Sequence, residues 1–121
     1  MRTSKLTIGG NTYLLCMSNR VLSEIESMGQ SLESFLSDTN KTVTNICWLV
    51  RKMSAAGSIY AKKFHLGDYQ TISEEDIMDA SGSDDYAAYM DAILEAASGE
   101  RHVDAEPPKN AEAARAEALN G

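Results

Sequence analysis

The chain has 121 residues, a length that fits one domain plus some tail, with 43% apolar and only 7% aromatic residues, so a core must rest on Leu, Ile, Val, Met and Ala. Its formal net charge of -7 argues against a broad nucleic-acid-binding surface, which needs clustered Lys and Arg to replace counterions around phosphate. Near 100 residues, oligomerisation or a partner often adds stability, so a homo-oligomer stays open.

The charge is uneven. Residues 1–65 hold eight Lys/Arg against four Asp/Glu, while residues 66–100 hold ten Asp/Glu and no Lys or Arg. Two readings fit the acidic half: a solvated face, or a surface that steers a basic partner. The N-terminus has no apolar run of signal-peptide length, and no stretch approaches ~18 apolar residues. The expected location is therefore the cytoplasm of the cell that makes it, with no membrane partner.

In chain order, Leu6 and Ile8 alternate with Lys5 and Thr7. Gly9-Gly10-Asn11 then tolerates positive φ, and Tyr13 to Met17 is a second apolar run. This predicts a β-hairpin, which is marginal alone and must pack on the helices C-terminal to it. Ser18 is a candidate N-cap for a helix with Val21, Leu22, Ile25 and Met28 on one face, stopped by Gly29. Ser31 suits the cap of a short helix carrying Leu32, Phe35 and Leu36.

A long helix is expected from about Lys41 to Leu66, ended by Gly67. Val43, Ile46, Cys47, Val50, Met53, Gly57, Tyr60, Ala61 and Phe64 make its stripe, and Trp48, Leu49 and Ile59 widen it. Ser73 caps a helix with Glu74, Glu75 and Asp76 in its first turn, where the dipole favours anions. That helix continues through Ile77, Met78 and Ala80. Ser83 is expected to cap a last helix with Tyr86, Tyr89, Met90, Ile93, Leu94 and Ala97 on one face, ending at Gly99. Residues 100–121 are too poor in large apolar side chains to offset their ordering entropy and read as a flexible tail. The expected fold is α+β, mainly α. An N-terminal hairpin packs on four to five helices in a domain of residues 1–99.

Motifs for catalysis are missing from the sequence: no G-x-S-x-G elbow, no P-loop and no G-x-G-x-x-G. His65 and His102 lack neighbours at zinc-ligand spacing. Adjacent acids such as Glu74 and Glu75 point in different directions on a helix and make a poor catalytic pair. Cys16 and Cys47 lie among apolar neighbours with no CxxC and read as buried, reduced residues; a disulfide between them is not required. The expectation is a protein without cofactor, metal or catalysis. The residues offered for partner contact are Trp48, Met53, Tyr60, Tyr86, Tyr89 and Met90, since aromatic and Met side chains serve as interface anchors as well as core.

The order of short motifs adds to this. The Tyr13-Leu14-Leu15 strand leads to Leu22-Ser23-Glu24-Ile25-Glu26, then Ser31-Leu32-Glu33 and a long apolar helix. Ile72-Ser73-Glu74-Glu75-Asp76 comes next, then Ile93-Leu94-Glu95-Ala96, Gly99, and Pro108-Lys109-Asn110-Ala111-Glu112-Ala113. Over nearly its whole length the chain resembles the tail assembly chaperones of long-tailed bacteriophages and prophages. That resemblance implies a non-catalytic protein in the host cytoplasm that binds the tape measure protein, keeps it soluble and helps recruit tail tube protein. It also implies absence from the finished virion. In this family a ribosomal frameshift often yields a second, extended product, and the codons of Pro107, Pro108 and Lys109 are where a slippery run would fall. Two other readings stay open: a head–tail or tail completion protein of the virion, and a small acidic regulator of a host factor.

Overall fold

Strand β1 (Thr3–Ile8) turns back through Gly9 and Gly10 into β2 (Asn11–Cys16), forming a two-stranded antiparallel sheet with Ile8 opposite Asn11. Both glycines have positive φ, +58° and +85°, as a two-residue hairpin loop matching strand twist requires. In the computed structural model, residues 3–98 are described. The expected tail, residues 100–121, lies outside them.

Among the described residues, five α-helices come after the hairpin: α1 (Asn19–Ser27), α2 (Leu32–Leu36), α3 (Thr42–Lys63), α4 (Glu74–Ala80) and α5 (Tyr86–Ser98). The architecture is α+β and mainly α. Ser18 caps α1, accepting a bond from the Val21 N–H at 3.4 Å. Ser31 and Ser34 form a reciprocal box at the start of α2, and Ser73 accepts from the Asp76 N–H at 3.1 Å. These three caps match their sequence signatures because capping is local chemistry between neighbouring residues.

Two termini differ from expectation. Helix α3 stops at Lys63, and the residue that turns the chain is His65, with φ +57°, rather than Gly67. The Leu66 N–H reaches back to the Ala61 carbonyl at 2.9 Å, closing the last turn. At α5, Ser83 is not the cap. It starts a short 3₁₀ turn, Ser83–Asp85, in which the Asp85 carboxylate accepts from the Gly82 N–H at 2.9 Å.

The core lies between one hairpin face and the helices. Leu6, Ile8, Tyr13 and Leu15 meet Leu49, Val50 and Met53 of α3, Ile25 of α1, Ile77 of α4 and Ile93 of α5. Cys16 and Cys47 are buried and not joined in a disulfide. Burial pushes both thiols above their ordinary range, and Glu74 adds to the effect at Cys47. Both are therefore protonated and poor nucleophiles at neutral pH.

The apolar stripes are narrower than the sequence suggests. Val43, Ile59 and Phe64 of the α3 stripe are exposed, as are Met28, Met78 and Leu94. In their place Ser54 and Ser58 are buried on α3, and Ala92 and Ala96 on α5. Small residues win these positions because the helices approach the hairpin closely there. The Ser4 hydroxyl donates to the Ala92 carbonyl at 2.6 Å, and Gly57 sits against the Leu14 backbone.

One buried polar contact holds the start of α3. Asn45 Nδ2 donates to the Phe35 carbonyl at 2.9 Å. Asn45→Ala leaves that buried acceptor without its donor and should lower stability by about 1–3 kcal/mol. Urea denaturation checks this; an unchanged midpoint would mean water replaces the amide at no cost.

Candidate partner-binding groove

Helices α1 and α3 are tied by the Lys52 ammonium and the Glu24 carboxylate, 2.7 Å apart. An open groove of about 480 Å³ runs beside this bridge. Its α3 wall comes from Ala55, Ala56, Ile59 and Tyr60, with Phe64 just past the helix end, and its α1 wall from Val21. These α3 residues recur at three- and four-residue steps and so share a face. Alanines keep the middle of that face low, while Ile59 and Phe64 stand up at its end with 60% and 55% of their surface exposed. The Tyr60 and Phe64 rings pack with centroids 4.6 Å apart, and Leu66 just beyond is 51% exposed. Scattered single apolar residues on a surface mean little; here they are contiguous along one groove, which makes it the candidate site.

The groove is cationic although the chain is acidic. Arg20, Arg51, Lys52 and Lys63 line it, with Glu24 the carboxylate among its residues. Arg51 Nε lies 3.0 Å from the Glu74 carboxylate on α4. Arg20 and Lys63 are exposed, and among the described residues neither forms an ion pair with a carboxylate.

A second, shallower depression of about 450 Å³ lies between α2 and α5. It is lined by Leu32, Leu36, Met90 and Leu94, with Glu33 and Ser37 at its edge. It has an apolar floor and no cation.

The sequence-predicted contact residues do not form one surface. Tyr60 lines the α1–α3 groove and Met90 the α2–α5 depression. Trp48 is half-buried, 5.3 Å from the Phe35 ring by centroid, with Lys52 Nζ 5.6 Å from its own centroid. Tyr86 is half-buried against the core. Met53 and Tyr89 are corrected from partner contact to core, being 0% and 3% exposed. Burial, then Asp85, Cys47 and Asp84, pushes the Tyr89 phenol above its ordinary range against the opposing effect of a hydrogen bond with Ser81. Pro107, Pro108 and Lys109 lie outside the described residues.

Sequence reasoning missed Arg20, Lys63 and the surface role of Ile59 and Phe64. The signal available was the apolar arc of α3, which is too wide for one neighbour to cover. Among the described residues no three His, Cys, Asp or Glu side chains cluster as a metal site, and no helix is long and apolar enough to cross a membrane. Comparison with protein-family models, with curated proteins and with solved structures finds no match.

Proposed function

We propose that this chain is a non-catalytic tail assembly chaperone that binds the tape measure protein, keeps it soluble and helps recruit tail tube subunits. The observation carrying the reading is the α1–α3 groove, with Ile59 and Phe64 held out into solvent at its end. An apolar trough between two helices suits an amphipathic helix laid into it. A tape measure protein offers long helical segments whose apolar faces need cover before assembly. The acidic surface of α4 and of the turn before α5, with Glu75, Asp76, Asp79 and Asp84 all exposed, favours solubility of the loaded complex. The motif order from Leu22 to Ile93 supports the same family reading.

The test is co-expression with the tape measure protein of the same genome, read by soluble yield and co-purification. The expected result is a soluble partner that elutes with this chain. The double variant Ile59→Ser, Phe64→Ser should lower recovery at least ~10-fold, equivalent to about 1.4 kcal/mol of binding. Its melting temperature should stay close to the parent's, because exposed substitutions rarely exceed about 0.5 kcal/mol. A partner that aggregates regardless, with nothing co-purifying, rejects the chaperone reading and favours a component of the virion.

A further inference from the structure

We infer that the α1–α3 groove selects an amphipathic helix whose apolar stripe is flanked by acidic side chains. The inference rests on the groove being a helix-docking surface and adds the chemistry of what it accepts. Three observations carry it.

The first is length. From Arg51 to Phe64 the α3 wall spans thirteen residue steps, about 20 Å at 1.5 Å per residue. This matches an occupant helix of about four turns, and Ala55 and Ala56 at mid-groove let its backbone come close.

The second is the placement of charge. Arg20 comes from α1 and Lys63 from α3, so each of the two helices that line the groove brings a cation to it. An acidic residue flanking an occupant's stripe would therefore meet a cation. A basic flank would meet repulsion.

The third is that this charge is not already satisfied. Lys52 and Arg51 are engaged by Glu24 and Glu74, while Arg20 and Lys63 form no ion pair among the described residues. The groove thus opposes the sign of the whole molecule, which carries -7. A basic helix would be drawn to the acidic α4 surface instead, so the two surfaces sort partners by charge. Because Arg20 and Lys63 are exposed, their contribution lies in selectivity and association rate and is screened by salt.

The experiment uses the full chain and two fluorescein-labelled 18-residue helical peptides, read by fluorescence anisotropy. Both share one Leu/Ala stripe; one carries Glu on its flanks and the other Lys. The Glu peptide is expected to bind at least ~10-fold more tightly at low salt. That preference should shrink toward ~2-fold near 0.5 M NaCl. Arg20→Gln with Lys63→Gln should remove most of the preference at unchanged melting temperature. Ile59→Ser with Phe64→Ser should abolish binding of both peptides. Equal binding of the two peptides, tighter binding of the Lys peptide, or a preference untouched by the Arg20→Gln, Lys63→Gln pair overturns the inference. The chaperone reading fails separately: an acidic peptide that binds while the tape measure protein does not co-purify keeps the groove chemistry and removes the partner. A tape measure protein that co-purifies through Ile59 and Phe64 without any acidic preference does the reverse.

Discussion

Gly57→Ala should destabilise the protein by about 3 kcal/mol or more, the upper end of what overpacking costs. Ile8 and Asn11 close a two-residue turn, so the paired positions that exchange hydrogen bonds are Ile8/Asn11, Leu6/Tyr13 and Ser4/Leu15. The Lys5/Leu14 pair falls between them, and its backbone groups point away from the ladder. The Leu14 carbonyl therefore faces α3, and it meets Gly57. A Cβ there would lie 1.8 Å from the Leu14 oxygen and 2.6 Å from its carbon. Both are backbone atoms and cannot rotate aside, so helix and strand would have to separate. Alanine's better helix propensity returns only about 1 kcal/mol. Equilibrium urea denaturation reads the effect. A variant as stable as the parent would show that α3 and β2 do not meet at this point.

A contrast along α3 is the other major outcome. Met53→Ala should cost about 2–5 kcal/mol, since Met53 is fully buried and its removal leaves a cavity in the core cluster it belongs to. Ile59→Ala, six residues on, removes an equally apolar side chain and should change stability by no more than about 0.5 kcal/mol, because Ile59 is 60% exposed. The same Ile59→Ala should weaken partner binding, while a Met53 substitution acts on binding only through folding. Similar losses of stability at the two positions would place Ile59 in the core and remove the groove's apolar end. Thermal melts of the two single variants settle it.

The hairpin, the five helices and three of the N-caps were legible in the sequence. Alternation of period two, steps of three and four, and Ser or Gly at turn positions are properties of neighbouring residues. So is the charge split between the two parts of the chain. The groove was not legible, for reasons visible in Ile59, Phe64 and Ser54. A 22-residue helix carries apolar residues as far round its axis as Val43 and Ile59, with Phe64 just past its end, and nothing local says which side will be covered. The landing of β2 on Gly57 decides it: the covered strip runs through Ser54, Gly57, Ser58 and Ala61, and the larger residues are left facing solvent. Met53 and Tyr89 failed as surface candidates for the same reason, since an anchor and a core residue share one chemistry and differ only in what lies opposite.

Neighbouring residues are thus enough to set the element order, the caps, the turn and an aliphatic core poor in aromatics. The rotation of α3 about its axis comes instead from packing, because it depends on close approach to a strand some forty residues earlier. The same packing brings Arg20 and Lys63, far apart in the chain, into the lining of one groove.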